Sequence, residues 1–324
     1  MRIDLYGWTR DATRGDHRDF LGLFEEADRL GFDGVWFNEF HFQDPPQPYP
    51  STLLLAAALF ARTTRIRIGT SILVLPLHDP LLLAEMIAQL DRQSGGRLDI
   101  GMGRGTDPQT FTILGIDHAQ ARERFEAAFE TMLRVWTQPL SDSHRASAPP
   151  LQQPHPPLYL AGTTKETMAF AALKNLPLLL SLEPPEPRQL AAYAEALAES
   201  GATSMIARSS LCRYLCIARN LAQAEAAVDD LLARRQRARD ASARARGTVN
   251  PPLDRAKVRA EQMIWGDPDQ CLAQIAALRQ APGAIHGIGE LRLVFNGNGV
   301  LDNAEALASM RLFAETVLPA ARDI

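Results

Sequence analysis

Cysteine is scarce in this chain: three among 324 residues, at positions 212, 216 and 271. No two of them form a C-x-x-C pair, and the histidines are scattered, so no structural zinc or other metal site is expected. A low, odd count fits a reducing compartment, and the expectation is a cytoplasmic protein. The opening residues, MRIDLYGWTR, lack the charged end and apolar stretch of a secretory signal. No uninterrupted apolar run is long enough for a bilayer, so no membrane partner is expected. The formal net charge is −4, which leaves no general basic field for nucleic acid. Only the run from Arg234 to Arg246 is locally basic, and it reads first as a solvated helix or loop. A Gly-rich dinucleotide turn is missing too: YGWTRDATRGD follows the first strand, not G-x-G-x-x-G. The similar run GMGRG comes after the fourth strand with the wrong spacing.

What is present is ample core material, with hydrophobic residues making up 46% of the chain. Strand-like segments at 2–8, 32–38, 65–75 and 97–103 alternate with helical periodicities at 16–32, 50–64, 79–96 and 119–136. Asp79 before Pro80 and Gly95 after the last periodic residue mark the ends of the third helix, and Ser51 or Thr52 caps the second. A Pro-rich polar stretch, 137–156, interrupts the pattern as a surface insertion. The alternation then resumes, with strands at 157–162, 176–182, within 210–219 and at 290–296. Residues 235–262 read as a basic, irregular and mobile loop region. Eight strands alternating with helices predict an α/β fold, a (β/α)8 TIM barrel in one domain spanning 1–324. An open doubly wound sheet is the alternative.

In such a barrel the active site forms where strands end. Those positions carry Trp8; Asn38, Glu39, Phe40 and His41; Thr70, Ser71 and Ile72, with His78 and Asp79 beyond; Gly103, Arg104, Gly105 and Asp107; Gly162, Thr163 and Thr164; Ser181; and the run from Asn296 to Gly299. Glycines let a backbone approach an anion, helix-start amides point at one, and Arg104 adds a forked cation. A phosphate-bearing ligand fits that rim. Thr163 to Glu166 fits an ordinary capping box equally well.

The segments GFDGVWFNEFHF, RIRIGTSILVLPLHDPLLLAEMIAQLDRQSGGRLDIGMGRG, PPLYLAGTTKETMAFAALKNLPLLLS and VFNGNGVLDNAEALASMRLFAETVLPAAR together resemble the bacterial luciferase-like flavin monooxygenases. The resemblance runs over nearly the whole chain, with its motifs in order. It implies a luciferase-like barrel that uses FMN, usually as FMNH2 from a separate flavin reductase, and O2 to oxygenate a small apolar or carbonyl substrate. It further implies that Arg104 meets the flavin phosphate, that Thr163 with the amides around Gly162 and Thr164 forms a second clamp, and that a cis peptide at Ser71–Ile72 lies under the ring. Gly103 and Gly105 flank Arg104 in the same cofactor set, and Arg122 matches another arginine near the site. Some relatives use the deazaflavin F420 for hydride transfer, and some bind flavin without turnover.

Many relatives carry Glu-His-His-Phe after the second strand, whereas this chain has Glu39-Phe40-His41-Phe42. Phe40 takes no proton, so Glu39 and His41 stand as the candidate catalytic pair, with Glu39 orienting His41 or Arg104. Phe40, Trp8 and Asp107 are expected in the substrate pocket. STLLLAAALFA is apolar on nearly every side, and the resemblance implies a homodimer through the second and third helices.

Overall fold

The computed structural model describes residues 1–8, 16–43, 48–141, 148–182, 186–245, 247–280 and 287–324. Strands β1 (Arg2–Tyr6), β2 (Gly34–Phe37), β3 (Arg67–Val74), β4 (Leu98–Gly103) and β5 (Leu158–Leu160) lie side by side in chain order, all parallel. On the other flank of β1 comes β8 (Glu290–Val294), and beyond it β6 (Ser210–Ile217). The gap between β5 and β6 is bridged by Leu178 against Leu160 and Leu179 against Ser210. The circle closes, and the fold is a (β/α)8 barrel with helices outside. The segment 176–182 makes only these bridges, because Pro177 has no N–H to extend the ladder. A further short strand, β7 (Met263–Gly266), pairs with the far half of β6. Four residues are too few to show a period, and the sequence reading does not contain it.

The helices are α1 (His17–Leu30), α2 (Thr52–Phe60), α3 (Pro80–Ser94), α4 (Pro108–Ile113), α5 (Ala121–Thr137), α6 (Lys165–Leu173), α7 (Glu186–Ser200), α8 (Leu221–Ala245), α9 (Arg255–Glu261), α10 (Pro268–Gln280), α11 (Asn303–Thr316) and α12 (Leu318–Asp323). Capping follows the sequence at α2, where the Ser51 hydroxyl accepts from the Leu54 amide, and at α3, where Asp79 accepts from Leu81 and Leu82. No helix among the described residues is long and apolar enough to cross a membrane.

Most of 235–262 is not irregular. Helix α8 runs through the arginines to Ala245, and α9 follows. Alanine, arginine, leucine and glutamine are strong helix formers, and α8 holds neither glycine nor proline. Like-charge repulsion is offset by Arg234 pairing with Asp230 at 2.8 Å, four residues back, and with Glu305 of α11 at 3.0 Å. Ala224, Val228, Leu231 and Leu232 bury the inner face. Of the insertion at 137–156, residues 142–147 lie outside the described set.

The barrel interior is polar at its lower end. Asp4, Asp99, Glu290 and Arg292 are buried strand residues. Arg2 reaches Asp4 at 2.6 Å and Asp99 at 2.8 Å, Arg67 meets Asp99 at 2.6 Å, and Trp36 donates its indole N–H to Asp4 at 2.6 Å. Burial opposes the charge on Asp99, but Arg2 and Arg67 outweigh it and hold its carboxyl below the ordinary range. Asp99 and Glu290 each have a guanidinium in reach, which is what lets them stay inside, while Arg292 is held by neutral oxygens of Ser71, Ser210 and Leu180.

Candidate functional site

Two recesses lie at the strand C-terminal end. The smaller lies between β4, α5 and α6, lined by Arg104, Arg122, Phe125, Glu126, Leu160, Ala161, Thr167 and Phe170. The larger is a cavity of about 400 Å³ in the barrel mouth. Its walls include Tyr6, Ser71, Ile72, Leu182, Tyr214 and Arg292. Ala161, just past β5, lines both. The two recesses are therefore neighbours on one rim.

The cationic end is built at the start of α6. Thr164, not Thr163, is the N-cap, its hydroxyl accepting from the Thr167 amide at 3.3 Å. The cap falls one residue later than a box on Thr163 requires, and Thr163 is left exposed. Arg122 Nη2 lies 3.4 Å from both the Thr164 hydroxyl and the Glu166 carboxylate. Glu166 folds back over the helix start: its own backbone N–H, the Thr164 hydroxyl, and the fields of Arg122 and Arg104 hold its carboxyl below the ordinary range. The chain's own carboxylate thus sits where helix amides and two arginines favour an anion. Gly162 precedes the cap, hard against the Thr167 side chain.

Glycines keep the rim thin. A Cβ on Gly103 would strike the Ile72 side chain. Gly105 has φ of 78°, a left-handed conformation, and a Cβ there would meet Val74 Cγ1 at 2.6 Å. The Ser71–Ile72 peptide is cis, at the place the resemblance marks.

Glu39 faces its neighbours in the rim. Its carboxylate accepts from the Val74 amide at 2.6 Å, from His78 Nε2 at 2.8 Å and from His41 Nε2 at 3.0 Å. Burial pushes its pKa up, but the hydrogen bonds from His41, His78 and Val74 win and bring it down to about 2. The same bond raises the His41 pKa. The Glu39 amide also donates to the Ile72 carbonyl at 3.3 Å, which ties this cluster to the cis peptide. Phe40 is half-buried. Asp107 caps α4, accepting from the Gln109 amide, from Thr110 Oγ1 at 2.7 Å and from Gln43 Nε2 at 3.0 Å. Trp8 is wholly buried, edge-on to Phe24. Neither Asp107 nor Trp8 lines the barrel-mouth cavity.

A larger depression, about 700 Å³, lies where strands begin, among Arg2, Asp33, Arg65, Arg67, Arg97 and Arg322. Four of its arginines meet carboxylates, Arg2 with Asp4, Arg322 with Asp33 at 2.6 Å, Arg65 with Asp28 and Arg67 with Asp99, and Arg97 donates to the Ser94 and Ile66 carbonyls. Barrel chemistry belongs at the opposite end, so this cluster is read as structural.

The model of the luciferase-like monooxygenase family matches residues 6–284. The chain belongs to this family. Among curated luciferase-like relatives, limonene 1,2-monooxygenase of Rhodococcus erythropolis is 37% identical over 134 residues, 40% of this chain and 34% of that protein. The oxygenase component of flavin-dependent trigonelline monooxygenase from Acinetobacter baylyi is 31% identical over 166 residues, 47% of this chain and 45% of the relative. The chain thus spans half or less of the length of the curated relatives it matches. A monooxygenase from Streptomyces bottropensis superimposes with TM-score 0.79 at 25% identity, covering 99% of both chains. The oxygenating constituent of 3,6-diketocamphane monooxygenase from Pseudomonas putida, solved with FMN, shares the fold at TM-score 0.74 and 22% identity over 98% of each chain.

Several residues of the candidate site escape sequence reasoning: Tyr6, Tyr214, Arg235, Arg239 and Arg292 line the cavity. His78, already placed at the rim by the sequence, joins Glu39. Arg235 and Arg239 are four apart inside the basic run, one helical turn, and that spacing is the signal that could have placed them on a shared face.

Proposed function

We propose that this chain is the oxygenase of a two-component flavin-dependent monooxygenase that binds FMN. The observation that carries this reading is the placement of the Arg104–Arg122 recess and the barrel-mouth cavity on either side of Ala161, at one rim of the barrel. The residues suit the cofactor: Arg104, Arg122, Thr163, Thr164 and the α6 start hold a phosphate, displacing the exposed Glu166 side chain. Ser71, Ile72, Ala161 and Tyr6 bound a space for the ring, and Gly103 and Gly105 keep its edge clear. Bound reduced flavin supplies the activation of O2, and a separate flavin reductase supplies the reduced flavin. The apolar walls at Ile72, Leu179, Leu180 and Leu182 keep water off one side of a small organic substrate. Glu39 is a positioning residue, bracing the Val74 and Ile72 backbone, and His41 is the protonable group at the rim. Phe40, expected in the substrate pocket, lines neither recess.

Leu54 on α2 and Leu81, Leu82 and Met86 on α3 are exposed apolar side chains. In this reading they form the contact of a homodimer.

Fluorescence titration tests the cofactor assignment. The protein is expected to bind FMN at least tenfold more tightly than riboflavin, and Arg104→Gln to erase that preference, since charge-assisted bonds to phosphate contribute about 1.5–3 kcal/mol. Binding of F420 in place of FMN would replace this reading with hydride transfer. FMNH2 binding without faster O2 uptake or oxygenated product would leave a non-catalytic flavin carrier.

A further inference from the structure

Asp107 lines neither recess, and its carboxylate is turned to other partners. Oδ1 caps α4 by accepting from the Gln109 amide at 3.2 Å. Oδ2 accepts from Thr110 Oγ1 at 2.7 Å and from Gln43 Nε2 at 3.0 Å. Burial opposes its charge, but these bonds outweigh it and hold the carboxyl below the ordinary range.

Gln43 carries the connection further. Its amide nitrogen has two protons, and Nε2 gives one to Asp107 and the other to the His41 carbonyl, also at 3.0 Å. Thr110 has a single hydroxyl proton. It lies 3.1 Å from the same carbonyl, but the nearer and charged Asp107 oxygen takes that proton. Gln43 is therefore the link between the carboxylate and the backbone of His41.

That link holds a strained turn. Phe42, between His41 and Gln43, has φ of 52°, a left-handed conformation that a bulky residue leaves unless its surroundings impose it. The Phe42 side chain is 53% exposed, so its own packing does little to impose the turn. The turn sets the direction in which the chain carries the His41 ring, whose Nε2 meets Glu39 at 3.0 Å.

The far side is fixed as well. Phe111 on α4 is buried in a cluster with Val74, and the Val74 amide donates to Glu39 at 2.6 Å. Glu39, His41, Gln43, Asp107, α4 and Val74 thus form a closed circuit with the Phe42 turn inside it. The ionisable groups around the His41 ring are Glu39 and, on the same carboxylate oxygen, His78. Asp107 acts from the backbone side.

We propose that Asp107 is a positioning residue for His41: through Gln43 it holds the His41 carbonyl and the left-handed turn at Phe42, and so keeps the imidazole on Glu39. This rests on the reading of His41 as the protonable group of the flavin site. Capping of α4 by itself needs no Gln43.

NMR titration of the His41 ring on flavin-free protein tests it. In the parent the ring should titrate above the ordinary 6.5, because the bond to Glu39 favours its charged form. Gln43→Ala leaves the α4 cap untouched, and Asp107→Ser keeps a capping hydroxyl too short to reach Gln43. In both variants the His41 titration should lose about half or more of its excess over 6.5, while His17 titrates as in the parent and thermal midpoints are kept. Asp107→Asn retains the cap and an acceptor for Gln43, and should restore the parent titration. Gln43→Ala combined with Asp107→Ser should do no more than either alone, as for two members of one link. A His41 titration unmoved in Gln43→Ala overturns the proposal, and so does an effect of Asp107→Asn equal to that of Asp107→Ser. FMN titration of the same proteins keeps the two readings apart. Absence of FMN binding with the His41 shifts intact removes the flavin assignment alone, and FMN binding with unmoved titrations removes the role of Asp107 alone.

Discussion

Arg292 on β8 donates a hydrogen bond of 2.9 Å to the hydroxyl of Ser71 on β3, across the mouth of the barrel. The two residues are 221 positions apart in the chain. The same guanidinium reaches Ser210 of β6 and the carbonyl of Leu180, so one side chain ties three sides of the barrel together beneath the cis peptide. Replacing it with Met removes the donors and leaves those oxygens buried. Arg292→Met should lower the unfolding free energy by about 2–4 kcal/mol, read as the shift in urea midpoint. Ser71→Ala, which removes one bond, should cost about 1 kcal/mol. An unchanged midpoint in Arg292→Met would mean that the bridge is not maintained in solution.

Asp99 has no solvent exposure and serves both Arg2 and Arg67. Asp99→Ala takes a carboxylate from two half-buried guanidinium groups, of which Arg2 keeps Asp4 and Glu290. The expected loss is about 1–3 kcal/mol, the cost of donors left without their charged acceptor. Thermal denaturation would detect it as a large fall in Tm, well beyond that of an exposed pair such as Lys165–Glu195.

The Glu39 cluster predicts a pH dependence. Its carboxyl sits near pKa 2 instead of the ordinary 4.5. A depressed carboxyl contributes stability that is fully present above pH 4.5 and is lost as pH falls toward about 2. His41 is raised above the ordinary 6.5, so its share is present below that pH and lost as pH rises through the folded value. Glu39→Gln should therefore be less stable than the parent near pH 5, and the gap should close on acidification through 4.5 and below. Denaturant curves at a series of pH values read this directly. A gap that stays constant from pH 5 downward would contradict the cluster.

Glu166 lies over the α6 start, where the flavin phosphate is proposed to bind. Glu166→Ala should raise FMN affinity severalfold by removing a competing carboxylate, and leave riboflavin affinity unchanged. Weaker FMN binding in this variant would place the phosphate elsewhere.

Leu54 and Leu82 are 75% and 61% exposed on neighbouring helices, well beyond what packing onto the barrel requires. The double variant Leu54→Arg, Leu82→Arg is expected to be a monomer by light scattering while the parent is a dimer. A parent that is already monomeric at micromolar concentration would exclude this contact.

Much of the architecture is written locally. Helix starts at Ser51 and Asp79, the stop at Gly95 and the strand–helix alternation each depend on a few neighbouring residues, so the barrel and the family resemblance are visible from the sequence. The motif residues Glu39, Ser71 and Arg104 stand at strand ends for the same reason. Tertiary structure alone decided which charges meet. Arg2, Asp99, Arg292 and Glu290 lie within strands that read as apolar, and only closure of the sheet supplies each with a partner from a distant strand. The basic run illustrates the same point. Its composition favours a helix, but only docking of α8 on β6 turns Arg235 and Arg239 into the mouth and leaves Arg234 outside with Asp230 and Glu305. Local propensity depends on neighbours in the chain, whereas the environment of a charge depends on residues hundreds of positions away.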